Sequence, residues 1–373
     1  MDLLASVSRS SGLQSDGDEL KKSRVQEDYR KFVQTRLDDY LRKHPLYDHI
    51  ENVENRGEDS QKNTQSNILI LFRKLREGLM ASKRLDDFAL EVYEISFFLS
   101  IIFRIPAQTT SISGQLLPLG SGQSSLYKAL RESHSGGRAK SQTQSINIPN
   151  GRDGKLEKKL YRPPALRQGR EYSNVLPQKE PAERAKSIAL VPKVDSEVFS
   201  HALFLLHILC HSYPSQASFH SHLKSIPTSI VMPRDMKEHS LFAWLRSMAA
   251  ALTSHNYIRF EKLSRTSIPL EKASSELGEI ALRCLLFDLR GKVRQTVWPI
   301  MRSAYRELDT ILSTDWISRS LLLADKGLHG QNIAEGRKGI RDNAMTVEQW
   351  LTEQAEGEVQ KKEGIMGRWI LRR

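Results

Sequence analysis

The sequence is poor in cysteine and has no long apolar run. Its only cysteines, Cys210 and Cys284, are too few for a disulfide framework or a cysteine-rich zinc site, so we expect a reducing compartment. The longest apolar stretch, from Ile95 to Ile105, is interrupted by two serines and an arginine. It is shorter than the roughly 20 residues that a membrane-spanning helix requires. The first residues also lack the basic flank and apolar core of a secretory signal. We therefore expect no membrane span.

Motifs of known enzyme classes are missing as well. There is no Walker loop, no G-x-G-x-x-G element, no nucleophile elbow and no H-E-x-x-H sequence. His207 and His211 have a spacing that can hold zinc, but no acid lies between them, so structural histidines are favoured. Glu91 and Glu94 are paired carboxylates on one helix edge, for which a structural role is also favoured. We predict a protein that is not an enzyme, without catalytic residues, a metal site, a cofactor or a small-molecule substrate.

Basic residues, in contrast, are abundant. Lysine and arginine number 56 against 44 acidic residues, which gives a formal net charge of +12. Such an excess produces a positive potential that attracts polyanions. We expect contact with RNA or another nucleic acid; a charge that only confers solubility is the alternative.

Helical periodicity predicts a mainly α protein. Residues 1–18 are rich in Ser, Gly and Asp and are expected to be disordered. Apolar stripes predict helical repeats over residues 19–105 and again over residues 195–270. Between them, residues 106–194 are rich in Ser, Gly, Gln, Pro and Lys, so we expect a long disordered basic linker. The linker carries a linear binding motif or acts only as a tether; its composition leaves both open.

The last segment, residues 271–373, is predicted to begin with separate helices. Gly291 can end the first of them, and Pro299 must kink the next or start it afresh because it lacks the amide donor. Asp315 can cap a short helix. Residues Thr346 to Gln349 have the form of a capping box, which predicts another helix start.

A different period follows near the C-terminus. Glu358–Lys361 and Arg368–Arg372 are predicted to be two short strands around a turn. Within the second strand, Trp369 and Leu371 point one way and the intervening residues the other. Helices followed by a terminal basic hairpin describe a winged helix, so residues 271–373 are predicted to be a winged-helix domain carrying a small β-hairpin.

Several segments together resemble one known family. Phe88–Glu94 (FALEVYE) is similar to an F-T-V-E-V-Y-E helix, and Asn256–Leu263 (NYIRFEKL) to an N-Y-x-R-F-F-K-L block, the most specific of the matches. Arg302–Arg306 carries a matching A-Y-R. These are patterns of the SAC/GANP domain family. The resemblance extends over about residues 60–105 and 195–373, and His255 stands where the family pattern has glycine.

The resemblance implies a TPR/PCI-like helical-repeat stack that ends in a winged helix. It also implies a non-enzymatic nuclear scaffold that pairs with a PCI-domain protein and contacts RNA in mRNA export or mRNA processing. The nucleus is the expected location, with the cytoplasm as a second one. The alternative is a protein–protein adaptor of the centrosome or spindle that binds no nucleic acid.

The RNA-binding hypothesis assigns phosphate contacts to basic side chains of the C-terminal segment. A solvated basic face without a partner is the alternative interpretation of the same residues. The candidates are Lys292, Arg294, Arg302, Lys361, Lys362, Arg368 and Arg372.

Overall fold

The computed structural model describes most of the chain outside its central region. The described residues form fourteen helices and three short strands, so the mainly helical character is confirmed. None of these helices is both long and apolar enough to cross a membrane. One compact unit comprises residues 1–133 and 190–373, and the second unit, residues 134–189, lies almost entirely outside the described part. The described residues are 19–51, 59–118, 125–136, 194–232, 240–265, 275–323, 346–353 and 357–372.

Helix α4 is the apolar centre of the N-terminal part. It is buried on nearly every side because it packs against α3, α5 and α12. Asp86 fixes its start, since the carboxylate accepts a hydrogen bond from the Ala89 amide at 3.0 Å. The first four helices are α1 (Ser23–Lys43), α2 (Asp48–Glu51), α3 (Asp59–Ala81) and α4 (Asp87–Ile102).

Two helices occupy the region predicted to be a disordered linker. They are α5 (Pro106–Leu116) and α6 (Leu126–Gly136), and the linker prediction is wrong for both. Their polar composition is compatible with burial because the hydroxyl groups find partners: Thr109 and Ser100 lie 2.9 Å apart through their side-chain oxygens. Ile112 is fully buried in α5. The predicted disordered residues 1–18 and the linker residues 137–193 lie outside the described residues.

Five further helices follow in the region predicted as the second set of repeats. Residue His255 ends α10 with a left-handed backbone, at φ +54°. The next residue, Asn256, starts α11, because its side-chain oxygen accepts the Arg259 amide at 3.0 Å. The helices are α7 (Val194–Ser212), α8 (Ala217–Ser225), α9 (Thr228–Val231), α10 (Ser240–Thr253) and α11 (Tyr257–Arg265).

The long helix α12 (Glu276–Ala304) corrects two predictions. It neither ends at Gly291 nor restarts at Pro299. A glycine inside a helix costs only about 1 kcal/mol, and burial of the long apolar face against α4 and α7 outweighs it. Pro299 lies on the exposed side of the helix, and so does Gln295, whose carbonyl loses its amide partner and is open to solvent.

Helix α12 also connects the N-terminal helices to the C-terminal sheet. Both carboxylate oxygens of its Asp288 lie 3.0 Å from Arg104 Nε, which donates to them. The Arg104 guanidinium also donates to the His49 carbonyl at 2.7 Å. Toward its other end, Trp298 stacks edge-on with Trp350, with ring centroids 4.7 Å apart. The boundary predicted at residue 271 therefore does not separate two bodies.

The C-terminal sheet has three antiparallel strands in the order β1-β3-β2. The predicted hairpin is present, with Trp369 and Leu371 buried as the alternation indicated. The first strand was not predicted, because three residues are too few to display a period. The elements are β1 (Glu307–Asp309), α13 (Thr314–Ser320), α14 (Val347–Glu353), β2 (Val359–Lys361) and β3 (Arg368–Leu371).

Of the two helix starts predicted in this segment, one is confirmed and one is wrong. The capping box is confirmed: the Gln349 amide donates to Thr346 Oγ1 at 3.1 Å, and the Thr346 amide donates to Gln349 Oε1 at 3.0 Å. Asp315 is not a cap, because Ser313 holds that position and Asp315 lies in the first turn of α13.

Candidate nucleic-acid interface

Two of the predicted contact residues on α12 are bound to backbone carbonyls. Lys292 Nζ donates to the Cys210 carbonyl at 2.7 Å, near the end of α7. Arg294 donates to the carbonyls of Leu321 and Leu322 at 2.7 and 3.0 Å, at the end of α13. The last carbonyls of a helix have no partner inside it and carry a partial negative charge. Both cations therefore cap neighbouring helices.

Arg302 holds the C-terminal strand against α12. Its Nε and Nη2 donate to the Arg372 carbonyl at 3.0 and 2.6 Å, and its Nη1 lies 2.6 Å from a Glu358 oxygen. The other Glu358 oxygen accepts the indole N–H of Trp298. With a carboxylate and a carbonyl already in place, Arg302 acts as a clamp between helix and sheet.

The unpredicted strand β1 brings two carboxylates to the wing, which consists of strands β2 and β3 and the turn between them. Glu307 accepts a hydrogen bond from Lys362 Nζ at 2.7 Å. Arg368 lies between Glu307, at 3.6 Å, and Asp309, at 3.8 Å. The Lys362 hydrogen bond lowers the pKa of Glu307, and the Leu312 amide lowers the pKa of Asp309. Both carboxylates are therefore ionised and offset part of the wing's positive charge.

The remaining two candidates are exposed cations. Lys361 Nζ lies 6.0 Å from the centre of the Trp369 ring, a cation–π contact. Arg372 donates to the Gln360 side chain at 3.1 Å. Within the described residues, neither is paired with a carboxylate. Of the seven predicted residues, these two are best placed to meet a phosphate.

A second feature, which sequence reasoning missed, is an exposed aromatic pair with a cleft beside it. Tyr305 follows α12 and lies edge-on to Trp316 of α13, with ring centroids 5.2 Å apart at 68°. The cleft, about 290 Å³ in volume, lies between α11 and α13. The only sequence signal was a tryptophan outside the apolar stripe of a short helix. The lining residues are Ile258, Asp315, Trp316 and Arg319.

The wing also has an apolar tip formed by two adjacent turns. The Thr310 amide donates to the Gly367 carbonyl at 2.7 Å, which joins the turn after β1 to the turn between β2 and β3. Gly367 has φ +74° and contacts the Ile311 side chain, so only glycine fits there. The exposed side chains of this tip are Ile311, Leu312, Ile365 and Met366.

The carboxylates and histidines considered as chemical groups are buried or paired, except His211, which is exposed and stacks on the His207 ring. Glu91 is bound to Arg30 at 3.0 Å. Glu94 accepts hydroxyl hydrogen bonds from Tyr127 and Ser196, and burial raises its pKa. Burial lowers the pKa of His207 to about 4. Within the described residues, no three His, Cys, Asp or Glu side chains are close enough together to hold a metal ion.

No family model matches the sequence, and comparisons with curated proteins and with solved structures give no significant match.

Proposed function

We propose that the chain is a nuclear scaffold of the SAC/GANP type that pairs with a PCI-type protein and contacts RNA in mRNA export or processing. The observation that carries the proposal is the arrangement of residues 276–372. The element order α12-β1-α13-α14-β2-β3 and the strand order β1-β3-β2 are those expected of a winged helix. Together with the SAC/GANP-like sequence blocks, this order favours a PCI-like C-terminal module.

The packing of consecutive helices supports the helical-repeat part of the proposal. Helix α3 packs on α4, α4 on α5, α7 on α8, and α10 on α11. Neighbour-on-neighbour packing is typical of stacked helical repeats. The N-terminal helices and α12 would then form the support on which the C-terminal module is presented.

The backbone at residue 255 supports the family resemblance independently of side-chain pattern. The family sequence has glycine before the N-Y-x-R block, and His255 adopts φ +54° at that position. Glycine is the usual residue in this conformation because it has no Cβ to clash. The backbone at residue 255 therefore has the conformation that the glycine of the family pattern would adopt.

The distribution of charge favours RNA over the major groove of DNA. In a winged helix the helix before the hairpin, here α14, would enter that groove. Its sequence, VEQWLTE, has two glutamates and no cation. Phosphate contacts are thus left to Lys361 and Arg372, and to arginines near the aromatic cleft.

The apolar tip of the wing supports a protein partner. Leu312 and Met366 are 85% and 87% exposed, respectively, and lie on adjacent turns. Contiguous exposed apolar side chains rimmed by charges are typical of protein-binding surfaces. We assign the PCI-type partner to this tip.

One observation favours the alternative, a centrosome or spindle adaptor without nucleic acid binding. The carboxylates of Glu307 and Asp309 offset the positive charge of Lys362 and Arg368. With the wing partly neutralised, the apolar tip alone would carry the function. The two proposals differ in whether RNA binding depends on Lys361 and Arg372.

The test is a filter-binding titration of the full chain with single-stranded RNA. Lys361→Glu combined with Arg372→Glu should weaken binding, and the salt dependence should become shallower. The matched control is Arg24→Glu with Lys224→Glu, which changes the net charge equally on exposed helices outside the wing. Equal affinities of the two variants would reject the wing as the RNA contact and favour the adaptor.

A further inference from the structure

We infer that the cleft beside Trp316 binds one unpaired base of a single-stranded RNA, with the indole ring as the stacking surface. The inference rests on the proposed contact with RNA and names the part of the RNA that this site takes. None of the residues that line the cleft is one of the wing cations. We expect binding in the cleft by stacking on the indole ring, not by ion pairing.

Trp316 is the exception among the tryptophans of this chain. It is 38% exposed, whereas the other four, all described, are each at most 8% exposed. Tryptophan has a large apolar face whose exposure to water is unfavourable. Tyr305, edge-on at 5.2 Å, buttresses the ring from one side. The indole is thereby held in place while the cleft side stays open.

The dimensions of the cleft suit a small flat ligand. Ile258 comes from α11, while Asp315, Trp316 and Arg319 come from α13, so residues from two helices form its walls. Its volume of about 290 Å³ is just below the range for drug-sized ligands, which is roughly 300–1,000 Å³. A space of this size suits one base, and the indole of Trp316 and the aliphatic side chain of Ile258 both line it.

The polar groups of the cleft match the edge and the backbone of a nucleotide. Asp315 and Arg319 are four residues apart and share a helix face. A carboxylate accepts hydrogen bonds from the amino and imino groups of a base, and a guanidinium donates to phosphate or to base acceptors. Arg259 and Arg306, adjacent in sequence to Ile258 and Tyr305, are also exposed. Within the described residues, these three arginine side chains have no carboxylate partner.

A methylated lysine is the competing ligand for an aromatic site with a carboxylate. Such a cation needs several aromatic faces turned toward it and no neighbouring positive charge. Among the described residues, Trp316 is the one aromatic residue that lines the cleft, and Arg319 lines it as well. The charge and the single aromatic wall therefore favour a nucleotide over a cationic peptide.

Because Trp316 is exposed, its fluorescence can report binding in the cleft. Base stacking on this indole should quench the tryptophan fluorescence of the full chain in a saturable titration with nucleoside monophosphates. Trp316→Phe should abolish the quenching, because the four remaining tryptophans are buried. Trp316→Ala should weaken binding of single-stranded RNA by roughly 5- to 150-fold, as removal of one stacking partner does. Trp316→Phe should retain most of the affinity.

Leu85→Ala is the matched control, because it truncates another exposed apolar side chain outside the cleft. It should leave both quenching and RNA affinity unchanged. Absence of quenching by every nucleotide, with RNA affinity unchanged in Trp316→Ala, would overturn the inference even if RNA binds through Lys361 and Arg372. Quenching by a trimethyl-lysine peptide and not by nucleotides would also overturn it. The RNA affinity of the variant Lys361→Glu with Arg372→Glu tests only the proposed function. Quenching of Trp316 by nucleoside monophosphates is a separate measurement and tests the cleft.

Discussion

Arg368 lies directly opposite Asp309 in the antiparallel pairing of β3 with β1, and its Nε is 3.8 Å from the Asp309 carboxylate. The same strand brings Glu307 to 2.7 Å from Lys362 Nζ. The wing is therefore less positive than its own sequence indicates. Phosphate binding there has to compete with these two carboxylates.

Removing the two carboxylates should strengthen RNA binding. Glu307→Gln with Asp309→Asn frees Lys362 and Arg368, and each newly formed phosphate contact should steepen the logarithmic salt dependence by about 0.7 for a single strand. The measurement is RNA affinity over a series of salt concentrations. Glu353→Gln, an exposed acid of α14, is the control. An unchanged salt slope in the double variant would contradict the placement of RNA on the wing.

Residue 255 should accept glycine with a gain in stability. A left-handed backbone costs a non-glycine residue about 1–2 kcal/mol, whereas glycine adopts it freely. The greater flexibility of glycine in the unfolded chain offsets about 0.4–1 kcal/mol of that gain. We expect His255→Gly to raise the free energy of unfolding by about 0.5–1 kcal/mol in urea titrations, and His255→Val to lower it. A destabilised glycine variant would be inconsistent with the observed φ of +54°.

Acidification should destabilise the fold through its buried histidines. Burial, with a smaller effect of Arg131, lowers the pKa of His201 to about 3, and burial lowers that of His49 to about 4. In the unfolded chain these side chains gain a proton near pH 6.5, while the folded protein does not. The unfolded state thus binds more protons as the pH falls, and stability decreases from about pH 6.5 toward the lowered pKa values.

The His201 contribution can be isolated by substitution. His201→Leu should reduce the slope of unfolding free energy against pH in this window, by at most about 1.4 kcal/mol per pH unit. His220→Leu, at an exposed position, should leave the slope unchanged. Equal slopes for both variants would show that His201 titrates similarly in the two states.

Arg290 should be a major determinant of stability. It is 1% exposed, and its guanidinium donates to Ser264 Oγ and to the Leu322 carbonyl, both at 2.9 Å. Arg290→Met removes both hydrogen bonds, although Arg294 still donates to the Leu322 carbonyl, so we expect a loss of about 1.5–3 kcal/mol in chemical unfolding. Arg73→Met, which removes an exposed pair with Glu77, should cost less than about 1 kcal/mol. Similar losses in the two variants would contradict the role of Arg290 in joining α11, α12 and the segment after α13.

The sequence predicted the elements whose pattern is local. The apolar stripe of α4, the capping box at Thr346 and the alternation around Trp369 are each properties of a few consecutive residues, and each was found. Helix α5 was missed because its serines and threonines resemble a linker until their hydroxyl groups are paired with neighbouring helices. The continuity of α12 through Pro299 depends on its packing against other helices. That packing cannot be read from the residues near Pro299.

The same difference between local and long-range patterns explains which residues of the candidate site could be predicted. Lys361 and Arg372 could be proposed from the sequence because charge and strand period are local. The neutralising acids Glu307 and Asp309 lie about fifty residues earlier and become neighbours only through strand pairing. Trp316 could not be recognised as a lining residue of the cleft, because a cleft between α11 and α13 exists only after the chain folds. Partner carbonyls, such as those bound by Arg294, are equally invisible in a sequence.

Whether the C-terminal surface contacts RNA is best measured by crosslinking the full chain to RNA in cells and identifying the crosslinked peptides. We expect crosslinks within residues 305–319 and 357–372, where the aromatic cleft and the exposed wing cations lie. Crosslinks confined to other parts of the chain, or none above a control without irradiation, would contradict the proposal that this C-terminal surface contacts RNA.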